Sequence, residues 1–93
     1  MKTYKLPCMD HCKSFYGKAR VIEHDDGTKK LQSYNTIVCE VTPSGDFIRL
    51  WDGYSVTTTR HVNSFLYFLG YTGPQYGGKA FWDALSVNNP VYL

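Results

Sequence analysis

The densest group of side chains that could do chemistry lies between Asp52 and His61, where acidic, hydroxyl and basic groups follow one another. Four hydroxyl-bearing residues between 55 and 59 surround a predicted helix start, where unpaired N–H groups and the helix dipole favour an anion. The predicted binding residues, for a phosphate of a nucleic acid or a nucleotide, are Tyr54, Ser55, Thr57, Thr58, Thr59, Arg60 and His61. The alternative is helix capping, because Ser and Thr are ordinary N-cap residues.

A catalytic interpretation of the same segment makes His61 a general base with a nucleophile and an orienting group nearby. Ser55 or Tyr54 would be the nucleophile, and Asp52 would orient the imidazole. No recognised spacing supports such a triad, and a chain of 93 residues offers little depth for a water-excluding pocket. We therefore expect no enzyme, and a small hydrolase around His61 is only the third-ranked hypothesis.

A second candidate for chemistry is Cys8-x-x-His11-Cys12, which has the residue types of a zinc site. These three side chains would need a fourth ligand from a distant His or Cys, and no second pair stands at the usual spacing. The alternative is free thiols in a reducing cytosol, which is the simplest account of three cysteines without a secretory signal. We expect neither a bound metal nor another cofactor.

The N-terminus also bears on the compartment. The sequence MKTYKLPCMD lacks the apolar core of a secretory signal, and no stretch of the chain approaches the ~20 apolar residues of a membrane span. We expect the protein inside the cell, with no membrane partner.

The elements that would position these residues begin with a β-meander over residues 14–51. The predicted strands are 14–23, 30–41 and 47–51, and residues alternate between two faces in the second and third. In the second strand, Ile37, Cys39 and Val41 are expected to face the core. The connecting turns are 24–28, which contains Asp-Gly, and 42–46, which contains Pro and Gly. Two short connections between three strands imply antiparallel pairing.

The main helix is predicted over residues 57–69, because apolar residues from Val62 to Leu69 recur at helical spacing and form one stripe. Ser55 or Thr57 would cap its start, and Gly70 stands where a helix normally ends. A short second helix is predicted over residues 79–85.

These elements predict one α+β domain over residues 1–93. It would be a three-stranded antiparallel β-meander packed by one main C-terminal helix plus a short second helix. Residues 1–12 have no clear period and contain Pro7, so we expect an irregular tail there. The last eight residues, with Pro90, are also expected to be irregular.

The two faces of this sheet are expected to differ. If Ile48 and Leu50 face the helix, the alternate residues of the third strand lie on an open face. The residues then expected there are Phe47, Arg49 and Trp51, with Tyr34, Thr36 and Val38 and with Lys18 or Arg20. The predicted binding residues among them are Tyr34, Arg49, Trp51 and Lys18. Rings and cations on an open sheet are typical of single-stranded nucleic-acid binders. The alternatives are a second small core and an apolar patch for a protein partner or a homodimer.

Composition agrees with a binding surface. Aromatic residues make up 16% of the chain, more than one small core needs, so some rings should lie at the surface. The net charge of +2 is too small to identify a polyanion partner. Residues 1–32, however, hold seven of the ten basic residues against four acids, so any basic surface belongs to the N-terminal part.

Four segments carry a resemblance to a known family: SFYGKARV (14–21), SYNTIVCEV (33–41), LWDGYSVTTTRHVNSFL (50–66) and GKAFWDAL (78–85). In this order and spacing they resemble a family of small uncharacterised proteins from phages and integrated mobile elements of Gram-positive bacteria. The resemblance covers roughly residues 14–85. It implies a mobile-element setting and a site of action in the cytoplasm of a bacterial host cell. It carries no activity and no site residues.

The leading hypothesis is therefore a small non-enzymatic binding protein that acts on nucleic-acid transactions. It would bind nucleic acid, or inhibit a host nucleic-acid-directed machine such as a CRISPR effector. The runner-up is a partner-binding or dimeric structural or regulatory module with no nucleic-acid role. Salt dependence separates the two, because phosphate contacts release counterions and an apolar protein interface does not.

Overall fold

Six strands form one antiparallel sheet in sequence order, in the computed structural model that describes residues 1–7 and 18–93. The strands are β1 (Lys2–Lys5), β2 (Ala19–Glu23), β3 (Lys29–Ser33), β4 (Thr36–Val41), β5 (Asp46–Arg49) and β6 (Val91–Tyr92). Helix α1 spans Val56–Phe68 and helix α2 spans Gly78–Asp83. The predicted α+β class is confirmed, but the predicted number of three strands is wrong, since the described residues contain six.

The two predicted turns join β2 to β3 and β4 to β5. Gly27 and Gly45 have φ of 94° and 92°, which is the left-handed conformation that glycine adopts without a steric cost. In the first turn the Thr28 N–H donates to Asp26 Oδ1 at 2.9 Å, and this bond lowers the pKa of the Asp26 carboxyl. Asp-Gly and Pro-Ser-Gly thus set these two connections locally.

The predicted strand 30–41 is two strands joined by a tight turn at Tyr34 and Asn35. Tyr34 has φ of 56°, and its N–H donates to the Lys18 carbonyl at 2.6 Å. The alternation that predicted one strand continues through the turn, because it does not distinguish a long strand from a hairpin. The prediction of a single strand was wrong, and strands beyond ~10 residues are uncommon in any case.

A register shift between Leu31 and Gln32 lies close to this turn. It is a β-bulge, which places two consecutive residues of β4, Val38 and Cys39, in the core. The expectation that Val38 lies on the open face was therefore wrong. Val41 is buried as expected, whereas Ile37, predicted on the same face, is only half-buried.

Both ends of the chain pair as strands, which the sequence did not predict. Strand β1 pairs with β2, with Tyr4 opposite Val21, so residues 2–5 are not an irregular tail. Strand β6 pairs with β5, with Val91 opposite Phe47. Backbone hydrogen bonds from a neighbouring strand stabilise an edge strand without any apolar alternation in its own sequence. Residues 14–17 of the predicted first strand lie outside the described residues.

The register of β5 corrects the predicted sheet faces. Directly opposite residues share a face, and Arg49 and Phe47 lie opposite Cys39 and Val41, all of which are buried. The helices therefore cover Phe47 and Arg49, and the expectation that these residues lie on an open face was wrong. Ile48 is half-buried on the opposite face. An error of one residue in the assumed register moves every side chain of a strand to the opposite face. Alternation alone does not show which of the two sets of side chains faces the core.

Helix α1 begins and ends close to the predicted residues. Ser55 is the N-cap, and its side chain accepts from the Thr58 N–H at 3.0 Å. Gly70 has φ of 96°, and its N–H donates to the Tyr67 carbonyl, while the next N–H, of Tyr71, donates to Leu66. This pair of bonds is a Schellman motif, which satisfies carbonyls of the last turn.

The core lies between α1, α2 and one face of the sheet. Its largest fully buried side chains include Trp82, Phe47, Phe65, Leu31 and Leu66. Cys39 is a buried free thiol in this core, and burial raises its pKa well above the ordinary value. No helix formed by the described residues is long and apolar enough to cross a membrane.

Candidate functional site

A groove opens where β1, β2 and the β3–β4 turn meet, with a volume of about 310 Å³. The basic groove, as we call it, is lined by Thr3, Lys18, Arg20, Gln32, Tyr34 and Asn35. Arg20 lies opposite Gln32 and opposite Lys5, so these three side chains share the face that points away from the helices. The sheet register, and not a contiguous motif, brings the groove residues together.

The charge of the basic groove has one sign. Two cations, Lys18 and Arg20, line it, and none of the lining side chains is acidic. The Lys18 ammonium lies 5.5 Å from the centre of the Tyr34 ring, within cation–π distance. Lys5, opposite Arg20 in the register, is exposed and adds a third cation nearby. This arrangement can attract an anion and offer an aromatic ring to a planar group.

Tyr34 is held from several sides although 48% of it is exposed. Its carbonyl accepts from Gln32 Nε2 at 2.8 Å, and its N–H donates to Lys18. Its ring lies 5.9 Å from the His61 ring at an interplanar angle of 40°. A ring that is fixed at its backbone and open on its outer side is suited to stacking.

His61 is buried beneath this turn and is 1% exposed. Its Nδ1 is hydrogen-bonded to Ser33 Oγ at 2.8 Å, and Ser33 Oγ is in turn bonded to Thr58 Oγ1 at 3.1 Å. Burial, and to a lesser degree the charge of Arg60, lowers the pKa of His61 from its ordinary value. The chain of hydroxyl and imidazole groups therefore links β3 to α1 inside the protein. It pairs His61 with Ser33, which the sequence analysis did not propose, and not with Ser55.

Three hydroxyls at the start of α1, those of Ser55, Thr58 and Thr59, form hydrogen bonds within the fold. Thr59 Oγ1 donates to the Ser55 carbonyl at 2.9 Å, in addition to the cap between Ser55 and Thr58. Thr58 and Thr59 are both buried, whereas Thr57 and Arg60 are exposed. The geometry agrees with the capping alternative for Ser55, Thr58 and Thr59. An anion at this helix end stays a prediction.

Arg49 is 8% exposed and binds the protein's own backbone. Its guanidinium donates to the carbonyls of Trp51, Gly53, Trp82 and Leu85 at 2.8–3.1 Å. It also lies 4.3 Å from the centre of the Trp82 ring. The open-face position that made Arg49 a candidate for phosphate binding is therefore not present.

The remaining predicted residues lie elsewhere. Trp51 is half-buried, with its ring 6.4 Å from that of Trp82. Tyr54 is exposed, and Lys79 lies 5.2 Å from its ring. The structure thus brings together Lys18 and Tyr34 among the predicted residues, places His61 beneath Tyr34, and separates Arg49 and Trp51 from them.

The basic groove contains three residues that the sequence analysis missed, namely Thr3, Gln32 and Asn35. Thr3 gave no signal, because its strand was not predicted. Gln32 and Asn35 flank Tyr34, and recognising a turn there would have identified both. The metal candidates Cys8, His11 and Cys12 lie outside the described residues. Within residues 1–7 and 18–93, no three His, Cys, Asp or Glu side chains are grouped to hold a metal.

An antiparallel meander with both described helices on one face and a basic, aromatic groove on the other defines a small α+β protein with a candidate anion-binding surface. The sequence profile of the family of unknown function DUF8033 matches residues 4–84, and the chain belongs to this family. No curated protein matches the chain, and no solved structure matches it.

Proposed function

We propose that this protein binds single-stranded nucleic acid in the basic groove, with a base stacked on Tyr34 and phosphates beside Lys18 and Arg20. The observation that carries the proposal is the half-exposed Tyr34 ring with two cations and no acidic side chain around the groove. Stacking on an aromatic ring contributes about 1–3 kcal/mol per base, and cations that bind phosphates release counterions.

The size and the polar groups of the groove also support this proposal. Its volume of about 310 Å³ is at the low end of ligand pockets, and it suits a single unstacked nucleotide better than a duplex. Thr3, Gln32 and Asn35 supply hydroxyl and amide groups of the kind that hydrogen-bond base edges. In a duplex, neighbouring bases cover the faces that would stack on Tyr34, and base pairing occupies the Watson–Crick edges.

The biological setting we propose is a phage or integrated mobile element acting in the cytoplasm of its bacterial host, as the resemblance of four sequence segments implies. Within that setting the protein would bind nucleic acid directly or inhibit a host nucleic-acid-directed machine such as a CRISPR effector. The groove is basic, so an inhibitor acting through it would bind the RNA or DNA of the machine and would not imitate nucleic acid.

The test is fluorescence anisotropy with labelled single- and double-stranded DNA and RNA, at about 50 and 200 mM salt. We expect single strands to bind more tightly than duplexes and more weakly at the higher salt. Arg20→Gln should lower the slope of log K against log salt by about 0.7, the value for one lost phosphate contact on a single strand. Tyr34→Asn should weaken binding by about 1–3 kcal/mol without changing that slope, because it removes a ring and no charge.

Lys79→Gln is the matched control. Lys79 is an exposed cation on α2 that pairs with Asp83, away from the basic groove, so its loss should leave the affinity unchanged. Absence of binding at the lower salt, or an equal effect of all three substitutions, would refute recognition through this groove.

A further inference from the structure

A second groove lies between the C-terminal half of α1 and the loop that follows it, with a volume of about 390 Å³. The tyrosine groove, as we call it, is lined by Asn63, Ser64, Tyr67, Tyr71, Thr72 and Tyr76, together with Gly73. Tyr67 is 52% exposed, and the rings of Tyr71 and Tyr76 pack edge to face with their centroids 5.7 Å apart. None of these residues lines the basic groove.

The loop that forms one wall is anchored at both of its ends. The Tyr71 N–H donates to the Leu66 carbonyl at 2.9 Å at the end of α1. At the other end Asn63 Oδ1 accepts from the Gly78 N–H at 2.8 Å. Between them the Tyr76 N–H donates to the Gly73 carbonyl at 3.2 Å. These bonds fix the loop backbone that carries Tyr71 and Tyr76, whose rings also contact each other, and a fixed wall lowers the entropic cost of binding.

The charge of the groove lining does not favour a polyanion. No Lys, Arg, Asp or Glu lines the tyrosine groove. Residues 61–93 contain one Lys and one Asp, Lys79 and Asp83, and these two form an ion pair. A phosphate would therefore gain no counter-charge here, and the groove suits a neutral ligand that offers apolar surface and hydrogen-bond acceptors.

We infer that the tyrosine groove binds a proline-rich polypeptide segment in the polyproline II conformation. Such a segment presents pyrrolidine rings, which pack on aromatic side chains, and backbone carbonyls without competing N–H groups. Tyr67 and Thr72, both exposed and both part of the lining, carry hydroxyl donors that can match those carbonyls. A proline-rich segment is already extended before binding, so an aromatic-lined groove binds it at little cost in chain entropy.

The test uses a fluorescein-labelled peptide of about ten prolines, a length of several polyproline II turns. We expect saturable binding that hardly changes with salt and that Tyr67→Ala weakens at least about tenfold, as expected for a central aromatic contact. Tyr67 is largely exposed, so this variant should keep the fold, which circular dichroism would verify. Tyr92→Ala removes an exposed tyrosine on β6 and should leave the affinity unchanged.

Three results would overturn the inference: no binding up to about 1 mM peptide, equal binding of a Gly-Ser peptide of the same length, or equal affinity of the Tyr67→Ala variant. An excess of single-stranded oligonucleotide should leave peptide binding intact, because the two grooves share no residue. The peptide result therefore does not depend on whether the basic groove binds nucleic acid.

Discussion

At the residue scale, Tyr34 and His61 bring an exposed ring and a buried ring together at the β3–β4 turn. Tyr34 has a positive φ at a turn position where Gly or Asn is normally found, and this conformation costs of order 1 kcal/mol or more for a large side chain. The ring is nevertheless exposed, so core packing does not explain the choice of residue. Below it, His61 is buried in hydrogen-bond contact with Ser33. A strained, exposed aromatic residue above a fixed support is consistent with a binding role.

The burial of His61 makes stability depend on pH. Its pKa is lowered in the folded protein, so the unfolded chain binds the extra proton first as the pH falls. The stabilising contribution is present above pH ~6.5, the ordinary pKa, and is lost as the pH falls towards the folded value. We expect the unfolding free energy to decrease below that pH with a slope of at most about 1.4 kcal/mol per pH unit, the limit for one proton.

Urea denaturation between about pH 8 and pH 5 would measure this slope, with His61→Gln as the comparison. Glutamine can still hydrogen-bond to Ser33 but does not titrate, so the variant should have the shallower dependence. Parallel pH profiles for the two proteins would show that His61 is not the group responsible.

At the element scale, α1 depends on its first turn. Ser55 caps the helix, Thr59 bonds back to the Ser55 carbonyl, and Thr58 joins the helix to β3 through Ser33. These bonds place the start of α1 directly beside the β3–β4 turn that carries Tyr34. Because the start of α1 is tied to β3, the predicted residues at the helix start and those around Tyr34 lie at the same end of the sheet.

Ser55→Ala should lower the unfolding free energy by about 1 kcal/mol, because the Thr58 N–H loses its cap. Thr57→Ala is the matched control. It removes an exposed hydroxyl at the second residue of the same helix and should change stability by less than about 0.5 kcal/mol. Thermal unfolding measured by circular dichroism would compare the two. Equal losses of stability would argue against capping as the role of this hydroxyl.

At the scale of the whole molecule, Arg49 connects three parts of the chain. From β5 it donates to carbonyls of the loop before α1 and of the segment from Trp82 to Leu85, and it stacks on Trp82. Three other cations, Lys5, Lys18 and Arg20, are exposed towards the other edge of the sheet. The protein thus has one arginine that organises its interior and a separate group of cations that faces solvent.

Arg49→Met and Arg20→Met should therefore affect different properties: the first lowers stability, and the second weakens binding. Arg49→Met leaves the Trp51 and Leu85 carbonyls without this donor, while the Gly53 and Trp82 carbonyls keep a second one, and should cost about 3 kcal/mol of unfolding free energy. Arg20→Met removes an exposed charge, should cost less than about 1 kcal/mol, and should weaken binding of a single-stranded oligonucleotide. Urea titration and anisotropy would measure the two properties. A stable Arg49→Met protein with reduced oligonucleotide binding would reverse the assignment.

Much of the local structure followed from the sequence, because short-range physics decides it. The turn at Asp26-Gly27, the cap at Ser55 and the helix end at Gly70 all depend on residues within a few positions of one another. The period of the apolar residues predicted α1 to within one residue at each end. Lys18 and Tyr34 were identified as candidate binding residues from their types and from their expected position on the open face of the sheet, and the structure places them in one groove.

The tertiary structure decided which strands exist at the ends of the chain and which face of the sheet is covered. Strands β1 and β6 form because β2 and β5 offer them hydrogen bonds, and their own sequences show no alternation. The position of Arg49 depends on which face of β5 is turned towards the helices. Packing against α2 decides this, whereas the alternation within β5 does not. Composition and spacing therefore determined the class of fold and the types of residue available for binding. The pairing of distant strands determined where those residues meet, because strand register is a property of two segments and cannot be read from either one alone.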